Sequence, residues 1–343
     1  MINKQYTSNY IKEYNLSNLI SENRTYLMGV SIIMIMIFHQ YYIPDNKLLN
    51  IIAVYGNYGV DIFLFLSAFG IIYSLKKYNT ITFYKRRLIR ILPACIIAGI
   101  LKYLITEYAS TSITYLSPDA FTNVTYKYYM LLGWDLWFIR SILFLYLLSP
   151  LLNYIFNQFN KIIALTVGVI ISIFLVYCYS YNDGIINWLC SRFPSFLLGI
   201  YVAKNNLSIN KPLIILSLLF LFFAIILKYF GFRNLFPELT QLIHINLNYI
   251  LFAFSLPIVL LTLIKLKNAL NFTALNNVII YIGGLTLEIY LLHEFIYKCI
   301  YNYFLNNNFR IEYGLIVAII ISILLSILIK VLCDISKTNK IFK

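Results

Sequence analysis

Residues 51–75 read IIAVYGNYGVDIFLFLSAFGIIYSL, and the fold turns on them. Asp61 is the one charged residue in the stretch. A helix of this length, at about 1.5 Å per residue, crosses the roughly 30 Å hydrocarbon core of a bilayer. So long an apolar run with so little charge reads as a membrane span.

Comparable runs lie on either side, over 26–43, 88–107, 135–156, 161–180, 185–203, 212–230, 244–264, 278–304 and 313–333. The expected fold is therefore all-α: a polytopic membrane protein with about ten transmembrane helices in one bundle. Runs 88–107 and 185–203 carry Pro93 with Lys102 and Arg192 with Pro194. Helices tolerate such residues when surrounding helices re-satisfy the backbone. Composition agrees. Of 343 residues 61% are hydrophobic and 12% charged, about half the charge usual for soluble domains. Mean hydropathy is +0.79. These values exclude a soluble globular domain, a disordered chain, a coiled coil and a fibrous repeat. The 31 Tyr, 26 Phe and 3 Trp suit a chain with many membrane interfaces.

The net charge is +14, from 27 Lys and Arg against 13 Asp and Glu. The charges lie in short clusters between apolar runs, which argues against a nucleic-acid partner and for a topology signal. With ten spans and the N-terminus inside, 18 of the 27 basic residues fall on the inner side. Only Glu13, Glu22 and Asp334 among the acids join them. Both termini are expected to be cytoplasmic. Residues 1–23 form a polar segment without signal-peptide features, 24–335 the membrane domain, and 336–343 a short tail. The polar loop 108–134 faces outward. The five cysteines, in or beside apolar runs and without C-x-x-C spacing, read as free thiols. No His/Cys cluster suggests a metal.

Ionisable groups inside spans are costly, so each is a candidate for function. They are His39, Asp61, Lys102, Arg140, Arg192, Glu288 and His293. Helical rise puts His39 about 20 Å and His293 about 22 Å from the inner side, with Arg140 and Arg192 roughly 8–10 Å in from the outer side. Asp61 also enters from outside, so these groups can meet around one polar cavity in the outer half. Bland readings stand beside this: an interfacial His39, a satisfied helix-end His293, a structural ion pair for Arg140 with Asp135 or Asp61, and a helix-kink partner in Arg192. Glu288 and His293 are five residues apart, about 140° round a helix, and do not share a face. On the inner side, Phe83-Tyr84-Lys85-Arg86-Arg87-Leu88-Ile89-Arg90-Ile91-Leu92-Pro93 runs from loop into helix. Arg87 and Arg90 share a face, as do Arg86 and Arg90. Their planar donors match phosphate oxygens, or they mark a lipid-headgroup cluster.

Four segments, in order, resemble the acyltransferase 3 family of integral membrane acyltransferases that modify cell-envelope carbohydrates. Arg24 to His39 looks like the family's first helix with its histidine. Gly59-Val60-Asp61-Ile62-Phe63-Leu64-Phe65-Leu66-Ser67-Ala68-Phe69 is similar to its G-V-x-x-F-F-x-x-S-G-F. Phe83-Tyr84-x-x-Arg87-x-x-Arg90-x-x-Pro93 resembles its R-x-x-R-x-x-P element. Leu287-Glu288-Ile289-Tyr290-Leu291-Leu292-His293 is similar to its S-L-x-I-Y-L-x-H helix. Leu136-Trp137-Phe138 and Phe193 to Gly199 are weaker landmarks. Two departures stand out. Ala68 replaces a usual glycine, which predicts loss of a close backbone approach. Arg24 lies fifteen residues before His39, where many members place the arginine about eleven before.

The resemblance implies an O-acyltransferase of the bacterial cytoplasmic membrane, with residues 24–335 as its acyltransferase domain. It implies acyl-coenzyme A, acetyl-CoA by family precedent, as co-substrate without a bound cofactor or metal. The acceptor would be a hydroxyl on a cell-surface or lipid-linked carbohydrate, and membrane lipid the surrounding partner. Homo-oligomerisation stays open. His39 is the expected general base with Asp61 orienting it. Arg86, Arg87 and Arg90 would bind the donor. Arg24, Arg140, Arg192, Ser67, Glu288 and His293 are candidates for substrate or oxyanion contacts. A covalent acyl relay on His39 or Ser67 is the alternative chemistry. A transporter or flippase of a glycan intermediate is the alternative function, and predicts no dependence on acyl-CoA. One difficulty is depth: the base lies outward and the donor arginines inward.

Overall fold

The structure is a computed structural model describing residues 15–39, 47–112, 137–179, 184–205, 207–230, 240–270 and 272–338. Most of the outward loop expected over 108–134, the first 14 residues and the end of the tail lie outside them. The described residues form twelve helices: α1 (Leu16–Phe38), α2 (Lys47–Gly56), α3 (Gly59–Lys77), α4 (Thr80–Ser112), α5 (Trp137–Gln158), α6 (Lys161–Tyr179), α7 (Gly184–Lys204), α8 (Lys211–Phe230), α9 (Thr240–Leu270), α10 (Thr273–Gly283), α11 (Thr286–Asn306) and α12 (Ile311–Thr338). Among them there is no named strand, only an isolated bridge between Asn15 and Ser208.

Seven stretches are long and apolar enough to cross a membrane, the first being Ile52–Lys77, which runs through α2 and α3. An eighth is added if α10 and α11 form one broken span. Helices α1 and α7 match the expected runs 26–43 and 185–203 but fall outside that count. The chain is an integral membrane protein built of helices.

Several boundaries differ from expectation, beginning with the run 51–75, which is two helices, α2 and α3, parted at Asn57-Tyr58. The run 278–304 is not one helix: it breaks after Gly283, and α10 and α11 meet at 84°. The glycine pair Gly283-Gly284 is the physical reason, since glycine loses most backbone entropy in a helix. Helix α1 starts at Leu16 because Asn15 caps it, accepting from the backbone N–H groups of Ser17 (3.0 Å) and Asn18 (3.3 Å). It ends at Phe38, leaving His39 in the turn just beyond. Helix α4 starts at Thr80, where the Asn79 side chain accepts from Thr82 N–H at 2.8 Å. The basic stretch Phe83–Pro93 is therefore helical throughout, not half loop.

The chain divides into two compact units. The first comprises residues 1–27, 64–73 and 152–276. In it α8 packs on α9, α6 on α7, and α9 on both α6 and α7. A Cβ on Gly199 of α7 would collide with the Phe65 carbonyl oxygen and come within 2.9 Å of the Ala68 methyl. The close approach expected to be lost with Ala68 is thus kept, with the glycine supplied by the facing helix. Small residues commonly make such crossings in membranes.

The second unit comprises 28–63, 74–151 and 277–343. Here α4, α11 and α12 pack on one another. The C-terminal half of α1 is held by small residues. A Cβ on Gly29 would run into the Ile279 carbonyl oxygen of α10, and one on Gly56 into that of Met34. Ser31 Oγ donates to the Gly59 carbonyl oxygen at 3.0 Å. These contacts seat the half of α1 that leads to His39.

Candidate active site

His39 meets His293 in the second unit. Their rings are edge to face with centroids 4.9 Å apart, and His293 Nε2 lies 3.3 Å from His39 Nδ1. The surrounding carbonyls fix the protons. His293 Nδ1 is 3.0 Å from both the Ile289 and Tyr290 carbonyl oxygens, which only accept, so a neutral His293 carries its proton there. Its Nε2 is then a lone pair. His39 Nδ1, 2.9 Å from the Ile35 carbonyl oxygen and facing that lone pair, is likewise a donor. The basic nitrogen of His39 is therefore Nε2. Glu294 Oε2 stands 3.9 Å from it, and Glu294 Oε1 accepts from Lys298 Nζ at 2.9 Å. The arrangement suits a base: Nε2 can take a proton, and a carboxylate is in place to stabilise the imidazolium.

His293 is almost fully buried and His39 partly exposed. Aromatic rings pack the pair in place. Tyr290 and Tyr297 lie 5.6 and 6.1 Å from His293, and a row of rings continues through Phe138 to Phe63.

The arginines of α4 take different roles. Arg86 is exposed, its guanidinium 4.4 Å from the Tyr78 ring centroid. Arg87 lies 5.3 Å from the Phe83 ring and 5.2 Å from that of Tyr146, a cation held against two aromatic faces. Arg90 grips Glu288 with both fork nitrogens, at 2.5 and 3.1 Å. Glu288 is 0% exposed and Arg90 39%. A buried carboxylate needs such a counter-charge, so the fork expected to meet phosphate is committed to the protein's own acid. Glu288 and His293 take separate partners, as their angular separation requires.

The other candidates are spread over both units. Asp61 is fully buried in the first turn of α3. Arg140 is exposed on α5, beside buried Phe138, Ile139 and Ser141. In the first unit, Arg24 Nε donates to the Leu66 carbonyl oxygen at 3.3 Å, and its guanidinium lies across Gly70, where a Cβ would come within 2.8 Å. Ser67, the residue after Leu66, is buried. Arg192 is 2% exposed and lies 4.1 Å from the Tyr249 ring, which Lys228 also approaches at 5.6 Å.

Two residues escape the sequence reading. Glu294 follows His293 directly and is paired at i+4 with Lys298, a spacing that by itself marks ordinary helix stabilisation. Lys330 of α12, one of the inner-side topology charges, donates to the Gly284 carbonyl oxygen at 3.0 Å.

The geometry also eases the depth problem. Glu288, which Arg90 holds, is five residues before His293 on α11, about 7.5 Å along the axis. The arginine-bearing stretch and the histidine pair thus approach each other within the second unit. No curated protein and no solved structure matches the chain. A family model described as an acyltransferase domain matches residues 25–335, and the chain, an integral membrane acyltransferase, belongs to the acyltransferase 3 family.

Proposed function

We propose that the protein moves an acyl group, acetyl by family precedent, from acyl-CoA to a hydroxyl of a cell-surface or lipid-linked carbohydrate. It works in the bacterial cytoplasmic membrane, crossing it ten times with both termini inside, and residues 24–335 carry the activity. The observation that supports this reading is the protonation pattern of the His39–His293 pair, which makes Nε2 the basic nitrogen of His39, 3.9 Å from Glu294 Oε2.

The chemistry follows from that nitrogen. The acceptor hydroxyl oxygen attacks the thioester carbonyl carbon while its proton passes to His39 Nε2. The tetrahedral oxyanion collapses, the C–S bond breaks, and the imidazolium returns the proton to the departing sulfur. The products are an O-acyl carbohydrate and free CoA thiol. Arg87, with Arg86 beside it, supplies fixed positive charge for the donor phosphates. Arg90, paired with the Glu288 carboxylate, adds no net charge to that field. Asp61 and Arg140, in the same unit as the histidine pair, are candidates for substrate and oxyanion contacts.

Membranes carrying the wild-type protein or the His39→Ala variant, incubated with labelled acetyl-CoA and analysed for label in envelope glycans, test the reading. Label is expected only with wild type. Export of glycan without any acyl transfer, across several acyl-CoAs, would make the protein a transporter instead.

A further inference from the structure

The break between α10 and α11 is gripped by two cations from two other helices. Past the end of α10, Gly284 N–H turns back to the Ile280 and Tyr281 carbonyl oxygens at 3.1 and 3.0 Å, and Leu285 N–H to that of Ile282 at 2.9 Å. The Gly284 carbonyl oxygen accepts from Lys330 of α12 at 3.0 Å. One turn later, the buried Glu288 receives both nitrogens of Arg90 from α4. Helices α4, α11 and α12 also pack on one another, so each cation is anchored by its own helix.

A break with two glycines has no intrinsic angle, because glycine backbones adopt many conformations at little cost. The turn hydrogen bonds close the break locally, and contacts from outside it help to hold the 84° bend. A bidentate arginine–carboxylate pair fixes orientation as well as distance. Glu288 lies in the first turn of α11, so gripping it sets the rotation of that helix about its axis. His293 is rigid relative to α11, since its Nδ1 bonds the helix's own carbonyls. Rotation or sliding of α11 therefore moves His293 Nε2 directly relative to His39.

We propose that Arg90 and Lys330 are positioning residues, a two-point clamp on the α10–α11 break that sets α11 so that His293 holds His39 in its basic tautomer. The proposal rests on His39 being the base, and it reassigns the main task of Arg90 from holding donor phosphate to holding Glu288.

The test combines kinetics with cross-linking in intact membranes. Arg90→Gln and Glu288→Gln each lower kcat by roughly 10²-fold, the cost of a misplacement of about 1 Å, with KM for acetyl-CoA within about twofold of wild type. The double neutral variant, which leaves no unpaired buried charge, loses no more than either single one. Lys330→Ala lowers kcat and Lys330→Arg restores it. Independently of activity, a short bifunctional thiol reagent bridges His39→Cys to His293→Cys, read as the specific cross-linked peptide by mass spectrometry, and adding Arg90→Gln cuts that yield several-fold. A raised KM with unchanged kcat for Arg90→Gln, additive with Glu288→Gln, overturns the clamp and makes Arg90 a donor ligand. An unchanged cross-link yield overturns it too. If wild-type membranes transfer no acyl group, the functional reading fails, and the cross-link alone decides the clamp.

Discussion

His293 Nε2 points at His39 Nδ1 from 3.3 Å, across a sequence separation of 254 residues. One histidine thereby serves as the hydrogen-bond partner that leaves the other's remaining nitrogen basic. In the proposed mechanism a neutral ring takes the orienting part that a carboxylate plays in other acyl-transfer sites. The first prediction follows. His39→Ala removes the base and lowers kcat by at least about 10²-fold, with the protein still inserted and folded. His293→Ala gives a smaller loss, and His293→Gln, which can still accept from His39 Nδ1, recovers part of it. Initial rates of acetyl transfer in membranes, beside detergent-solubilised size-exclusion profiles, measure both effects. Equal rates for His39→Ala and wild type would remove His39 from the chemistry.

Glu294 provides the second prediction. Its carboxylate stands 3.9 Å from His39 Nε2 and is partly exposed, so the attraction to a developing imidazolium is screened and worth about 1 kcal/mol. Glu294→Gln lowers kcat by up to about fivefold without changing KM for the donor. Lys298 competes for the same carboxylate at 2.9 Å. Lys298→Ala leaves Glu294 more available to His39 and does not reduce kcat. A kcat unaffected by Glu294→Gln would show that the imidazolium is stabilised elsewhere.

The third prediction separates the arginines. Arg87 is braced by the Phe83 and Tyr146 rings, whose faces leave its N–H donors available to a phosphate. Losing a charge-assisted bond to phosphate costs about 1.5–3 kcal/mol, so Arg87→Ala raises KM for acetyl-CoA by roughly 10–100-fold. The exposed Arg86 contributes less, and its effect fades as salt is added. Titration with acetyl-CoA and with a dephosphorylated analogue at two ionic strengths checks this. Unchanged KM for Arg87→Ala would take it out of the donor site.

The fold class was legible because a long apolar run of bilayer length fits little but a membrane span, and stretches such as 51–75 and 313–333 carry that signal without ambiguity. Helix starts were less legible. Asn15, Asn79, Asn160 and Asn210 each accept from backbone N–H groups in the first turn of a helix, yet in a chain so rich in asparagine a cap does not stand out from composition. The break at Gly283-Gly284 is hidden because glycines are common in membrane helices, and the Arg90 and Lys330 contacts beside it come from distant parts of the sequence. His39, His293, Arg87 and Arg90 all stand out as candidates, because ionisable groups within apolar runs are conspicuous. Their pairings do not. Charge alone does not tell whether Arg90 awaits a phosphate or already faces a buried acid, and a resemblance to a motif does not carry the partner with it. Ala68 shows the same limit: the close approach survives through Gly199, on another helix.

The last prediction concerns the glycines that seat α1. A methyl at Gly29 would overlap the Ile279 carbonyl oxygen, which belongs to backbone and cannot rotate away. Gly29→Ala must push α1 from α10 and carry His39 with it, costing about 1–3 kcal/mol as overpacking usually does. Gly314 is the control. Its added methyl would meet the Phe304 ring at 3.1 Å, and a side chain can shift where a backbone carbonyl cannot. Gly314→Ala is therefore tolerated, with an unchanged melting temperature in detergent. Gly29→Ala lowers that temperature by several degrees and reduces kcat even where the protein remains folded, because the distance from His39 to His293 depends on the α1–α10 crossing. Equal stability and equal rates for Gly29→Ala and wild type would show that α1 is not held at Gly29.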